Sequence, residues 1–277
     1  MSFARDFPPI LRSMLTIAAC VVLGLPLLLY LVQDSMLFHP PPAPRAAPLA
    51  AATGIEAVRV PVADRLILNG WLARPAGVTA PLPLILYFGG NAEEVSWMAG
   101  TQPRLAGHAI LAVNYRGYAG NAGTPGETAF LADALAIHDW AVAQPGIDAR
   151  RIVVMGRSLG SAVAVHLAAE RPVARVVAIT PLDSVRSVAS GIYPFIPVSL
   201  LLKHPFDAAA RAPRIAAPLL AVVAGSDRVI PPRHARALFD AWGGPKRWVE
   251  LRGADHNDID AAPGFWPAIA TFLKESP

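Results

Sequence analysis

Residues 152–165, IVVMGRSLGSAVAV, constrain the chain more than any other stretch. An apolar run ends at Gly156. Ser158 then stands between two glycines, in Gly156-Arg157-Ser158-Leu159-Gly160, and a small-residue helical pattern begins at once. A strand that turns into a helix within so few residues brings the two backbones into contact, so the flanking positions must be small. The serine at the apex is strained, and the strain lifts its hydroxyl clear of the sheet. The Leu159 N–H points at the same spot from the helix start, where developing negative charge is favoured. The pattern predicts a nucleophile elbow with Ser158 as nucleophile. The plain alternative is a chance glycine-containing turn.

The surroundings fit the elbow. Short apolar runs recur along the chain: LPLILYFGG, AILAVNYRG, RIVVMG, ARVVAIT, PLLAVVAG and KRWVELRG. Each ends in glycine or polar residues and precedes a longer stretch with helical spacing. Runs without alternation read as strands buried on both faces. Strands alternating with helices imply a mostly parallel sheet with right-handed crossovers and helices on both faces, an α/β fold. AVRVP and RLILNGWLARP read as an opening strand pair, the second ended by Pro75. No internal repeat and no break in composition divides residues 55–277, which predicts one domain. In such sheets sites form at the carboxyl ends of the strands.

A serine hydroxyl needs a base, and the base needs orienting. Asp227 follows the run PLLAVVAG, and His256 follows KRWVELRG. The order Ser, Asp, His suits this elbow type. Asp183, in ITPLDSV, also follows a strand and is the alternative acid. Of the seven histidines, His138 and His166 fall in helical stretches, His204 and His234 lie beside prolines, and His108 precedes a strand. Only His256 has both the order and the strand-end position. Asp255, Asp258 and Asp260 read as loop-shaping or solvated residues. A second oxyanion donor is expected from the loop in LILYFGGNAEEV, where Gly89 and Gly90 let the backbone approach a ligand and Asn91 or Ala92 offers its N–H. Asn91 as a plain helix cap is compatible with that reading.

Residues 14–32, MLTIAACVVLGLPLLLYLV, carry no charge and are long enough to cross a hydrocarbon core as a helix, with Pro26 as a tolerated kink. Arg5 and Arg12 precede the segment, while Gln33 and Asp34 follow it. That bias places residues 1–13 in the cytoplasm and the main domain on the opposite, extracytoplasmic side. A cleaved signal peptide would have a shorter apolar core with a small-residue cleavage site close behind. Acylation at Cys20, as in bacterial lipoproteins, is the other alternative, but the apolar run continues well past it. The reading favoured is a retained single-pass anchor. Residues 33–54, with HPPPAPRAAP, read as a proline-rich spacer standing the domain off the bilayer. The net charge of +4 is spread over scattered arginines without a basic run, which argues against nucleic-acid binding. Cys20 is the single cysteine, so no intrachain disulfide forms.

With these motifs the chain resembles the α/β-hydrolase superfamily. More narrowly it is similar to the membrane-anchored group of BEM46-like proteins and the α/β-hydrolase-domain 13 and 17 proteins. FGGNAEE, NYRGYAGNAGTPGE, GRSLGSAVA, YPFIPVSLLLKHPFDA, GSDRVIPPRHA and ADHNDI match in order, over about residues 37–273. The resemblance implies Ser158, Asp227 and His256 as catalytic residues, with oxyanion donors at Leu159 and Asn91. Where the group usually has His-Gly before the asparagine, this chain has Gly89-Gly90. The residues and the resemblance together predict hydrolysis of a carboxylic ester or thioester through an acyl-enzyme, with no metal or organic cofactor. The substrate expected is a small molecule or acylated protein with an apolar acyl group. An apolar insert, residues 184–213, reads as a cap over the site, or simply as cover for the sheet. A serine peptidase and a non-catalytic membrane-tethered scaffold are the alternative functions. The sequence does not give the oligomeric state.

Overall fold

The structure, a computed structural model, describes residues 8–43, 54–78 and 80–275. Helices α1 (Pro9–Ala19) and α2 (Leu25–Leu37) join through a π-helical turn at Cys20–Gly24 into one rod, Pro9–Leu37, of 29 residues. Pro26 accounts for the widened turn. It lacks an N–H, its ring crowds the carbonyl four residues back, and a π turn relieves both. At 1.5 Å per residue the rod is about 43 Å long, against a hydrocarbon core of about 30 Å. It is long and apolar enough to cross a membrane. Arg5, which entered the charge-bias reading, lies outside the described residues.

The domain opens with β1 (Ile55–Pro61), β2 (Ile67–Ala73) and β3 (Leu82–Phe88), followed by α3 (Ser96–Ala99), β4 (Ala109–Val113) and α4 (Glu127–Val142). Then come β5 (Ile147–Arg157), α5 (Leu159–Glu170), β6 (Arg175–Ile179) and two insert helices, α6 (Val185–Ile192) and α7 (Val198–Leu201). The chain closes with β7 (Leu219–Ala224), α8 (Pro232–Ala241), β8 (Lys246–Leu251) and α9 (Phe265–Lys274). Each of the apolar runs read from the sequence is a strand.

The strands form one eight-stranded sheet in the order β1-β2-β4-β3-β5-β6-β7-β8. Strand β2 is antiparallel to β1 and β4, and the remaining neighbours are parallel. The fold is that of the α/β hydrolases. Every residue of β4, β6 and β7 is buried, because helices cover both faces. Helices α4, α5 and α8 bury Phe130, Ile137, Val163, Leu167 and Leu238 in the core on one face. Helices α3 and α9 bury Met98, Ile269 and Phe272 on the other. The edge strand β8 leads with exposed Lys246 and Arg247, charges that discourage further pairing.

The proline-rich spacer is a point of difference. Its described part, residues 33–43, lies against the domain and does not stand it off. Gln33 Nε2 donates to Leu201 O at 3.0 Å, and its Oε1 accepts from Lys203 N at 2.7 Å. Asp34 lies 3.3 Å from Lys203 Nζ and 3.2 Å from His204 Nε2. Phe38 is the physical reason. It is buried edge-on against Phe130, His204 and Phe206, and lifting the segment away would expose a whole aromatic side chain, at a cost of about 2 kcal/mol or more. Ala119 N also donates to Pro41 O at 2.9 Å. Residues 44–53 of the spacer lie outside the described residues.

Candidate active site

Four strand ends meet at one rim of the sheet. Ser158 follows β5 with φ 52° and ψ −120°, a conformation disfavoured for any residue with a side chain. The two glycines make it possible. A Cβ on Gly156 would sit 2.1 Å from Gly160 O, and one on Gly160 would sit 2.2 Å from Phe88 O. Neither neighbour can yield, since both are backbone. The apex is held by Ser158 N donating to Ile179 O at 2.8 Å and by Ser161 Oγ donating to Ser158 O at 2.6 Å.

The structure brings Ser158, Asp227 and His256 together. His256 Nε2 lies 2.9 Å from Ser158 Oγ, and Nδ1 lies 2.7 Å from Asp227 Oδ2. All three residues are buried. An ionised Asp227 only accepts, so Nδ1 carries the proton and Nε2 is left to accept from the serine hydroxyl. The other Asp227 oxygen, Oδ1, accepts from Val229 N at 2.9 Å and Ile230 N at 2.7 Å. These bonds fix the carboxylate in the turn after β7. His256 is held through its own backbone: its N–H donates to Asp255 Oδ1 at 2.8 Å, and its carbonyl accepts from Arg157 Nη2 at 3.1 Å. Asp255 also pairs with Arg228, Asp258 Oδ1 accepts from Asp255 N at 2.7 Å, and Asp260 lies 3.7 Å from Arg157. All three shape the histidine loop and none touches the imidazole.

The alternative acid is engaged elsewhere. Asp183 Oδ1 lies 2.9 Å from His234 Nδ1 and does not reach His256. Among the described residues no other histidine is hydrogen-bonded to Ser158, although His39 lines the same cavity as Ser158, and His166 Nδ1 is buried without a partner. His108 Nδ1 meets Leu105 O, His138 meets Asp139, and His204 meets Asp34 and Glu127 N.

The loop after β3 faces Ser158, with a Gly90 Cβ position 3.5 Å from the serine Cβ. Ala92 has φ 62°, so the chain turns back sharply behind Asn91. Leu159 is the first residue of α5, and its N–H has no partner within the helix. Asn91 uses its side chain structurally: Oδ1 accepts from Tyr118 Oη at 2.8 Å and His39 N at 3.1 Å, and Nδ2 donates to Leu37 O. That leaves its backbone N–H as the group to offer a ligand.

Three residues passed over in the sequence reading brace this loop. Glu93 accepts from Gly90 N at 2.6 Å, Tyr87 Oη at 2.7 Å and Trp97 Nε1 at 2.9 Å. Tyr115 Oη donates to Gly89 O at 3.0 Å, and Tyr118 holds Asn91. Burial, then the nearby Glu93, pushes the hydroxyls of Tyr87 and Tyr115 well above the ordinary phenol range, so both remain donors. The Gly89 position cannot take a larger residue in this arrangement, since a Cβ there would lie 2.7 Å from Val95 Cγ1. The missing histidine is thus matched by a loop pinned from Glu93, Tyr115 and Tyr118. All three sit inside the motifs FGGNAEE and NYRGYAGN, which was the available signal.

Ser158 lies between two cavities of about 350 Å³ each. One is apolar, enclosed by α2, α6 and α7. The other is of mixed polarity, and its lining includes His39, Glu93, Arg157, His256 and Asn257. A serine hydroxyl bonded to an imidazole that a buried carboxylate orients is equipped to attack a carbonyl.

Fold and site geometry place the chain among the α/β hydrolases, and it belongs to that superfamily. It is 33% identical to an uncharacterized protein of Mycobacterium tuberculosis, covering 94% of both chains. It is 23% identical to protein bem46 of Schizosaccharomyces pombe, over 80% of this chain and 77% of that one. Among solved structures it is similar to an acetyl xylan esterase from Paenibacillus sp. R4, with a TM-score of 0.66 and 22% identity, over 81% of this chain and 85% of that one. No protein-family model matches the chain.

Proposed function

We propose that this chain is a membrane-anchored serine hydrolase that cleaves a carboxylic ester or thioester through an acyl-enzyme. The observation that carries the reading is the unbroken path from Asp227 Oδ2 through His256 to Ser158 Oγ, in contacts of 2.7 and 2.9 Å. The fold is that of known esterases, and no observation favours a peptidase or a scaffold.

In this mechanism Ser158 Oγ attacks the carbonyl carbon as its proton passes to His256 Nε2. Asp227 stabilises the imidazolium. The N–H groups of Leu159 and Asn91 hold the oxyanion, each contributing on the order of 3 kcal/mol. Collapse of the intermediate expels the alcohol or thiol, which takes the proton from His256. Water then repeats the sequence, giving the acid and free Ser158.

The domain division is part of the proposal: anchor, short junction, and one hydrolase domain whose cap is the insert carrying α6 and α7. A retained anchor is supported by α2 itself, since removing it would strip a wall from the apolar cavity and Phe38 from the core. The charge bias around the helix supports a cytoplasmic N-terminus. The test is Ser158→Ala, which should abolish both ester hydrolysis and labelling by a fluorophosphonate. Persistent labelling of that variant would remove Ser158 from its role.

A further inference from the structure

The membrane helix contributes directly to the space around Ser158. Leu29, Tyr30, Gln33, Met36 and Leu37 of α2 line the apolar cavity opposite the cap helices α6 and α7, and the cavity ends at Ser158 and Leu159. Its polar members are largely committed. Gln33 bonds Leu201 and Lys203, and Asn91 bonds Tyr118, His39 and Leu37.

Depth along the helix then matters. Arg12 and Asp34 bracket an uncharged stretch whose length, at 1.5 Å per residue, is about 30 Å, close to one hydrocarbon thickness. Asp34, paired with Lys203 and His204, therefore marks the interface on the domain side. Leu29 and Tyr30 lie more than one turn below it, inside the hydrocarbon. Leu37 lies above it, beside Asn91. The cavity follows α2 for about 12 Å from one level to the other. The cap carries the matching apolar surface. Phe195 is 96% exposed, Leu200 85% and Ile192 61%, an arrangement costly in water and favourable in a bilayer. The second cavity on the other side of Ser158, which carries Arg157, His256 and Asn257, offers room for a polar leaving group.

We infer that the substrate is a membrane-resident ester or thioester whose acyl chain reaches Ser158 sideways from the bilayer, between α2 and the α6–α7 cap. The inference rests on the proposed function and names its substrate class. The acyl chain keeps its apolar surroundings along the whole route, so it is never transferred to water. The polar part of the substrate stays at the interface and departs through the cavity lined by Arg157 and His256.

The test uses the full chain in phosphatidylcholine vesicles. Leu29→Trp fills the cavity from the helix wall and Ala189→Trp fills it from the cap, while Leu28→Trp, on the 54% exposed face of the same helix, is the control. Two substrates are compared: water-soluble p-nitrophenyl acetate and p-nitrophenyl palmitate dissolved in the vesicles. Either cavity variant should lower the ratio of palmitate to acetate hydrolysis by at least roughly tenfold, the scale on which apolar pockets discriminate. The control should keep that ratio and its fluorophosphonate labelling. Unchanged palmitate hydrolysis in both cavity variants, equal loss on both substrates in both, or an equal palmitate loss in Leu28→Trp would overturn the route. Wild-type protein that hydrolyses neither ester and takes no label would instead overturn the proposed function, and this inference with it.

Discussion

Asp183 and His234 form a second carboxylate–imidazole pair, 2.9 Å apart, in which the imidazole is buried and the carboxylate half-buried, on the same rim of the sheet as Asp227 and His256. The two pairs differ in what the far nitrogen meets. His256 Nε2 faces Ser158, whereas His234 Nε2 is buried without a hydrogen-bond partner among the described residues. Asp183 therefore ties the base of the cap to α8 and is remote from the proton path.

This separation gives the first prediction. Asp227→Asn should lower kcat by roughly 10³–10⁴-fold, because the imidazole loses its orienting acceptor. Asp183→Asn should leave kcat within about tenfold of wild type and lower the thermal midpoint instead. Steady-state kinetics and thermal unfolding of the two variants decide it; a larger loss of turnover in Asp183→Asn would reverse the assignment of the acid.

Gly160→Ala should be poorly tolerated although alanine is the better helix former. Its Cβ would meet Phe88 O at 2.2 Å and Gly89 O at 2.4 Å. The backbone must move, at a cost above about 3 kcal/mol, and the loop that carries Asn91 moves with it. Both the thermal midpoint and the labelling rate should fall. Gly107→Ala, where nothing lies within 4 Å of the added carbon, should keep full labelling despite the strain of its φ of 78°.

Glu93 is a positioning residue. Its two oxygens accept from three donors, and a glutamine would turn an N–H₂ toward one of them. Glu93→Gln should lower kcat for a short ester by about 10–100-fold and leave KM within a few-fold, because the loss falls on the oxyanion and not on ground-state binding. A change confined to KM, or a loss of fold seen by circular dichroism, would contradict that role.

Stability should fall with acid in the histidine range. Burial holds His108 and His166 below the ordinary imidazole value. The unfolded chain then takes up protons first as pH drops below about 6.5, so the folded state loses stability through that window and recovers it as pH rises. Glu127, pushed up by burial, acts in the opposite direction nearer the carboxylate range. The thermal midpoint should be lower at about pH 5.5 than at about pH 7.5, and His108→Asn should flatten the difference. A midpoint that rises on acidification over that interval would contradict the sign.

The sheet was readable because its strands are continuous apolar runs that end in glycine, a signal set by burial on both faces. The elbow was readable because backbone crowding leaves only glycine at positions 156 and 160. The choice between Asp227 and Asp183 was not settled by the residues alone, since both follow strands and only the spatial partner of each distinguishes them. The bracing of the Gly89–Gly90 loop was hidden for a similar reason. Tyr115 and Tyr118 lie one strand away, and their reach depends on the β3–β4 register. The docking of residues 33–43 was misread because proline content predicts stiffness but says nothing of where Phe38 is buried.

The most direct test is the site of covalent capture. Intact protein in vesicles is treated with a fluorophosphonate, digested with trypsin and analysed by mass spectrometry, in parallel with His256→Ala. The account predicts one adduct, on Ser158 in the peptide that begins at that residue, and near-complete loss of it in the variant. An adduct on another residue, or equal labelling without the imidazole of His256, would contradict it.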